Sequence, residues 1–256
     1  MITLGIDAGT KATKAVLTNH VKTIASVVLP CGRESTVTIA DLARRDVLAK
    51  AGLSPESVTN IGVTGLYGDR VSFATNAFPE GVCLAKAMGY LKPSVHSVLD
   101  IGSVRALAIK CQDGRLTSIA VNDRCASGTG AFVEVLASFF RVPIAELGNV
   151  ALTAKEPVDF LNTCAVYVES EALSLMVEGK TAENIIAGAL RGFSSRILSL
   201  LMTVGVETDI AMVGGLANNK ALVKNIEESL GVSLFIPKEP QTALAFGAAL
   251  LAQGKG

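Results

Sequence analysis

Charge is scarce in this sequence: 18% of its 256 residues are Asp, Glu, Lys or Arg, against about 25% in an ordinary globular chain. The scarcity is even-handed, with 23 basic and 23 acidic residues. That balance excludes a broad electrostatic footprint for nucleic acid or for an anionic membrane. Long apolar runs are missing too, and none is expected to approach the ~20 residues that span a bilayer. A 50% hydrophobic content nevertheless rules out a disordered chain. The composition therefore predicts neither a nucleic-acid nor a membrane partner. Residues 1–30 show no basic leader with a cleavage site, so a secretory signal is not expected and the reading is cytoplasmic.

Tryptophan is absent, and the two histidines, His20 and His96, stand alone and suggest no metal site. No CxxC pair occurs among Cys31, Cys83, Cys111, Cys125 and Cys164. A zinc finger or a single-chain ferredoxin loop is therefore unsupported. The odd count and wide spacing also argue against a disulfide framework. Taken singly, each cysteine reads as a buried reduced thiol behaving as a small hydrophobe.

Glycine is plentiful, at 24 residues, and it falls at the ends of apolar segments. Met1 to Asp7 reads as a strand ending in a carboxylate, followed by the small-residue turn Ala8-Gly9-Thr10-Lys11-Ala12-Thr13-Lys14 and a second strand over 15–17. Backbone N–H groups of such a hairpin turn can face an anion. Helical spacing runs from Ile39 to Ala51 with Gly52 closing it, 61–65 is a short strand breaking into a glycine loop, and 80–91 reads as a helix.

The opening pattern then returns about 93 residues later. Val95 to Asp100 is again an apolar strand, followed by Ile101-Gly102-Ser103, a strand over 105–110, and the hairpin signal Asp113-Gly114 leading into 116–121. This repeat predicts two related α/β halves, 1–93 and 94–256, with the last helix free to pack back on the first half. In the second half, the Gly-rich loop 122–130 opens onto a helix over 131–140. Helices are expected from Asn162 through Met176, over 185–203 and over 218–230. Strands are expected over 209–213, ending in Gly214-Gly215, and over 234–236, before a closing helix over 243–252.

Asp7 and Asp100 are the first chemical candidates. A carboxylate at a strand end can hold a metal-bound phosphate or orient water, and Mg²⁺ takes one or two protein carboxylates directly or through water. Gly214-Gly215, with Asn218 and a helix behind it, lets backbone approach a flat or charged ligand closely. Any one of these loops is more often a plain turn; the three together are far more specific.

Strand-Asp7-Ala-Gly9-Thr10, strand-Asp100-Ile-Gly102 and strand-Gly214-Gly215-Leu-Ala-Asn218 resemble the two phosphate loops and the adenosine loop of the actin, sugar-kinase and Hsp70 ATPase superfamily. The tail Gln241 to Leu251 is similar to its closing helix. The resemblance implies an α/β fold of two RNase H-like domains, with ATP or ADP and Mg²⁺ in the cleft between them. It implies cofactor contacts at Gly9, Thr10, Gly102, Ser103, Gly214, Gly215 and Asn218. Lys14 is either a phosphate contact or a solvated strand-end lysine. Glu134 is either a ribose contact or a first-turn helix carboxylate.

Two further stretches narrow the choice. Asn122-Asp-Arg-Cys125-Ala-Ser-Gly-Thr-Gly130 and Thr163-Cys164-Ala-Val-Tyr-Val-Glu169-Ser-Glu171 resemble motifs of the ATPase family of 2-hydroxyacyl-CoA dehydratase activators and benzoyl-CoA reductase ATPase subunits. In that family the two cysteines of each of two subunits ligate one [4Fe-4S] cluster, which implies Cys125 and Cys164 as ligands. One chain offers two placed thiolates and a cluster needs four, so a twofold dimer completes the set. Helix N-termini near both cysteines would favour thiolate and cluster charge. Glu169 and Glu171 read as helix surface charges, and Cys31, Cys83 and Cys111 keep the bland reading.

The resemblance implies an ATP-dependent electron-transfer component. A ferredoxin or flavodoxin would donate the electron, and a partner iron–sulfur enzyme would accept it. The second phosphate loop departs from the pattern: activators carry Asp-Ile-Gly-Gly-Gln-Asp where this chain has Asp100-Ile-Gly-Ser103-Val104-Arg105. The missing Gln and Asp are groups that position water or metal for hydrolysis. This leaves open a heterodimer with a related ATPase subunit beside a homodimer. It also leaves open a cluster-free kinase or nucleotide-sensing subunit, and an assembly partner that binds ATP without turnover.

Overall fold

The computed structural model describes residues 1–58, 60–122, 124–160 and 164–254. In chain order the elements are β1 (Ile2–Ala8), β2 (Ala12–Asn19), β3 (Lys22–Pro30), α1 (Thr36–Ala51), β4 (Asn60–Thr64), β5 (Asn76–Ala77) and α2 (Glu80–Leu91). There follow β6 (Ser97–Ile101), β7 (Ala106–Gln112), β8 (Arg115–Asn122), α3 (Gly130–Phe139), α4 (Ile144–Leu152), α5 (Val168–Val177) and α6 (Ala182–Met202). The chain ends with β9 (Ile210–Val213), α7 (Lys220–Leu230) and α8 (Ala243–Ala252). Two compact units result: Met1–Val95 with Ile109–Ser118 and Pro237–Gly256, and His96–Ala108 with Ile119–Ile236.

The first unit is built on a five-stranded sheet of order β3-β2-β1-β4-β5, in which β1 runs antiparallel to β2 and parallel to β4. Alternation along β1 sends Leu4 and Ile6 into a core with Ala40, Ala43 and Val47 of α1. Gly5 points the other way, where a Cβ would run into the α8 backbone at Ala245 and Ala249; Gly62 of β4 meets Ala248 in the same manner. Two glycines thus let α8 lie directly on the sheet. Thr3 seals that contact by donating from Oγ1 to the Ala249 carbonyl at 3.1 Å.

The second sheet, of order β8-β7-β6-β9 with β6 and β9 parallel, repeats the pattern, and the second unit packs on β6, β9 and the adjoining parts of β7 and β8. Asp113 and Gly114, at φ +51° and +70°, supply the two left-handed residues of the tight turn between β7 and β8. Its core gathers Leu99, Phe132, Leu136, Leu190 and Met212, with the Phe132 and Phe193 rings stacked at 5.5 Å.

Several elements differ from expectation. Helix α1 begins at Thr36 because Ser35 caps it, accepting from the Thr38 amide at 3.1 Å. β3 and α4 are additional elements. The strand expected over 234–236 reduces to one bridge, Phe235 against Ala211, and Pro237 follows it with no N–H to extend the ladder. The helix expected from Asn162 starts at Val168, with Asn162 and Thr163 lying outside the described residues. The expectation about apolar runs also needs correction. Helix α6 has 21 residues and is long and apolar enough to cross a membrane by length and composition. Its Ile185, Leu190, Phe193, Ile197 and Leu201 are instead buried in the core of the second unit.

Candidate functional site

Asp7 stands opposite Lys14 in the β1–β2 ladder and level with Thr64 in the β1–β4 ladder. Its carboxylate is buried, 3% exposed, and accepts from Lys14 Nζ at 3.0 Å. Burial of a charge demands such a partner, so Lys14 is tied to the carboxylate rather than freely solvated. The chain then turns through Gly9, where a Cβ would stand 2.8 Å from the Ala12 carbonyl and 3.4 Å from Lys14 Nζ. Only glycine lets the backbone pass so close to the ion pair. From the far side Gly65 closes the loop at φ +89°, and a Cβ there would collide with Asp7 Oδ1 and lie 2.9 Å from Ala8. Gly9 and Thr10 remain half-buried beside this pair.

The second unit builds the same arrangement. Asp100 is buried one residue before the end of β6, and Gly214 closes over it just past the end of β9 at φ +83°. A Cβ on Gly214 would collide with Asp100 Oδ1 and stand 2.7 Å from the Ile101 carbonyl. Gly215 and Asn218 are exposed on the turn that follows, with Asn218 Nδ2 donating to the Gly215 carbonyl at 3.4 Å. Helix α7 is capped by the buried Asn219, not by Asn218; its Oδ1 accepts from the Leu222 amide at 3.0 Å.

Gly102 and Ser103 do more than form a loop. Their carbonyls accept from the first two amides of α3, Gly130 N and Ala131 N, both at 2.8 Å. Those are among the four amides a helix start leaves unpaired. Ser103 Oγ also donates to Glu134 Oε1 at 2.6 Å. The loop after Asp100 is therefore fastened to α3 by backbone and side chain, and Glu134 is held by Ser103. Val104, in the position of the missing Gln, is 41% exposed.

Cys125 and Cys164 are brought together in this same unit. Cys125 is exposed and precedes the 3-10 turn Ala126–Gly128 that leads into α3; Cys164 is half-buried and precedes the turn into α5. Between them lies Ser127, 3% exposed, whose Oγ accepts from the Ala165 amide at 2.9 Å. The Ser127 hydroxyl, then its amide, the Arg196 guanidinium and the Gly128 amide pull the Cys125 thiol below its ordinary value. The Val166 amide, the Ser127 hydroxyl and the Tyr167 amide lower Cys164, while Cys125 opposes it as a neighbouring charge. Both thiols thus favour the thiolate that metals bind. Among the described residues no group of three or more His, Cys, Asp or Glu stands together. The two cysteines therefore stand as a pair of thiols in this unit. Asp123, inside the first cysteine motif, lies outside the described residues.

The other cysteines are buried. Cys83 is pushed up to about 12 by burial and Cys111 to about 11 by the same cause. Cys31 lies under the first loop, its Sγ 3.5 Å from the Gly9 carbonyl. Sequence reasoning missed Gly65, Ser127 and Arg196. Gly65 had a signal, since it ends β4 as Gly214 ends β9; Arg196 had none, being one arginine on a long helix.

Two topologically matching sheets, each with a strand-end Asp backed by a left-handed glycine, make up the actin and sugar-kinase fold. A hexokinase from Thermus thermophilus, 16% identical with a TM-score of 0.52 over 99% of this chain and 98% of that one, shares that fold. Within this class the chain belongs to the BadF/BadG/BcrA/BcrD ATPase family, whose pattern it matches over residues 4–252. It is similar to component A of the (R)-2-hydroxyglutaryl-CoA dehydratase of Acidaminococcus fermentans, with 31% identity and a TM-score of 0.95 over 98% of this chain and 97% of that one. The activator of the 2-hydroxyisocaproyl-CoA dehydratase from Clostridium difficile, solved with bound ADPNP, gives 32% identity and a TM-score of 0.93 over 98% and 94%. A benzoyl-CoA reductase subunit of Thauera aromatica is 30% identical over 90% of this chain and 83% of its own length.

Proposed function

We propose that this protein is an ATP-dependent electron-transfer component that delivers a low-potential electron to a partner iron–sulfur enzyme. The observation that carries the reading is the Cys125–Cys164 pair, two thiols with lowered pKa values gathered around one buried serine. Cys125 and Cys164 of two copies hold one [4Fe-4S] cluster, or one copy pairs with a related ATPase subunit. When bound, the cluster supplies a one-electron store whose potential is set by charge, hydrogen bonds to sulfur and exposure. Arg196 places a positive charge beside Cys125 and offsets the negative charge gathered there. A ferredoxin or flavodoxin in the cytoplasm is the donor.

Asp7 in the first loop and Asp100 in the second are each carboxylates that would hold Mg²⁺ directly or through water, and the ion would supply charge neutralisation at the phosphates. Lys14 adds a cation at the first loop, where Gly9 and Thr10 bring backbone to the phosphates. Gly102 and Ser103 do the same at the second, and Gly214, Gly215 and Asn218 take the adenosine end. Glu134, held by Ser103, would serve as the ribose contact. The tie between Gly102, Ser103 and the start of α3 supports coupling: a change at the phosphate loop acts on the helix that begins just after Cys125. A second reading, ATP binding with little turnover, is favoured by Val104, which can neither hold metal nor orient water.

The test is an anaerobic one. The reconstituted, dithionite-reduced protein is mixed with ATP, with ADP or with no nucleotide, and iron release to a chelator is timed. A rate that depends on the nucleotide supports coupling, and loss of the dependence in Asp7→Asn and Asp100→Asn localises it. An identical rate in all three conditions overturns it.

A further inference from the structure

The cysteines reach the same place from distant parts of the second unit, and the question is what fixes their spacing. Cys125 comes off the edge strand β8, and Cys164 comes from the approach to α5. The two segments are joined by a side chain: Ser127 Oγ accepts from the Ala165 amide at 2.9 Å, across 38 residues of sequence. Ser127 is itself immobilised. It lies in the 3-10 turn whose Gly128 and Thr129 amides donate to the Cys125 and Ala126 carbonyls at 3.2 and 3.1 Å. Gly128 leaves no freedom beside it, because a Cβ there would run into the Asn122 side chain and stand 3.5 Å from Arg196 Cδ. A hydroxyl buried at 3% exposure, with one lone pair taken by a backbone amide, still has its proton to give.

We propose that Ser127 is the positioning residue of the thiol pair, clasping the Cys164 segment to the Cys125 turn and donating its O–H to a sulfur. The hydroxyl carries one proton, so it serves one sulfur at a time, and the Ala165 amide keeps the oxygen in place while it does so. The consequence for electron transfer rests on the cluster reading above, whereas the clasp is a property of the metal-free chain. Outer partners of metal ligands govern affinity by about 10–100-fold, and a hydrogen bond to sulfur stabilises the more negative, reduced state.

Wild type, Ser127→Ala and Ser127→Thr are compared, with thermal melts by circular dichroism to establish folding. Metal-free protein is treated with dibromobimane, a two-armed thiol reagent that fluoresces once both arms have reacted. Cross-linking of Cys125 to Cys164 is expected in wild type, about tenfold weaker in Ser127→Ala, and restored in Ser127→Thr. In reconstituted protein, Ser127→Ala is expected to lose iron to a chelator about tenfold faster and to show a more negative midpoint potential, with Thr again restoring both. A folded Ser127→Ala that cross-links and holds iron like wild type overturns the proposal. Should wild type cross-link as described yet take up no iron, the cluster reading fails and the clasp stands.

Discussion

Gly214, held at φ +83°, stands directly behind the carboxylate of Asp100, where a side chain would collide with Oδ1. Gly65 stands in the same relation to Asp7 at φ +89°. Each strand-end Asp is thus confined by the glycine that ends the neighbouring parallel strand. The duplication read from Asp7 and Asp100 is therefore a duplication of paired residues. Gly65→Ala or Gly214→Ala combines left-handed strain of about 1–3 kcal/mol with the collision. Each should lower thermal stability and weaken ADPNP binding at least tenfold (~1.4 kcal/mol) by calorimetry. Gly52→Ala, at a helix C-cap with open space around it, should leave nucleotide affinity unchanged.

Lys14 and Asp7 form a nearly buried pair at 3.0 Å. Lys14→Ala leaves the carboxylate without its cation and should cost about 1–3 kcal/mol of stability. Asp7→Asn keeps the shape and removes the charge, so it should fold while ATP hydrolysis falls about 10²-fold or more. Phosphate release under saturating Mg²⁺ and ATP, alongside urea melts, separates the two effects.

The five thiols should sort cleanly by reactivity. In metal-free protein near neutral pH, Cys125 and Cys164 should alkylate first, since both lie below the ordinary value and at least partly open to solvent. Cys31, Cys83 and Cys111 should react only on unfolding, as peptide mapping would reveal. Cys83 gives a pH signature of definite sign. Its folded pKa is raised to about 12 from 9.0, so its contribution is fully present below pH 9 and lost as pH rises toward 12. Cys83→Ala should flatten that alkaline part of the stability curve, read from urea midpoints at stepped pH.

Val104 and Arg105 occupy the positions where the activator pattern has Gln and Asp. Replacing them together, Val104→Gln with Arg105→Asp, should raise the hydrolysis rate by at least about tenfold if positioning of water is what this loop lacks. Steady-state phosphate release measures it, and an unchanged rate would show that these two positions do not limit hydrolysis.

Much of the fold was legible because glycine and apolar periodicity report backbone demands directly. Asp113-Gly114 announced the hairpin, and the run from Glu80 to Leu91 announced α2. The turns after Asp7 and Asp100 were legible as strand-Asp-x-Gly units. What escaped depends on partners distant in sequence. Ser127 looks like any small residue in a Gly-rich loop until Ala165 arrives beside it. Arg196 is an ordinary helix residue until α6 packs under the Cys125 turn. The N-terminal extension of α1 hung on a single capping serine, and the overall apolar character of α6 was missed because Glu183, Arg191 and Arg196 interrupt its sequence while its buried face remains continuous.

The central claim is that two thiols per chain form half of a cluster site, and iron counting under anaerobic conditions addresses it most directly. Reconstituted protein, separated from free iron and sulfide, should carry about four iron atoms per two chains. Cys125→Ala and Cys164→Ala should each abolish the brown colour while preserving the fold. Wild-type protein that stays free of iron after reconstitution, or that holds as much iron when both cysteines are replaced, would contradict the account.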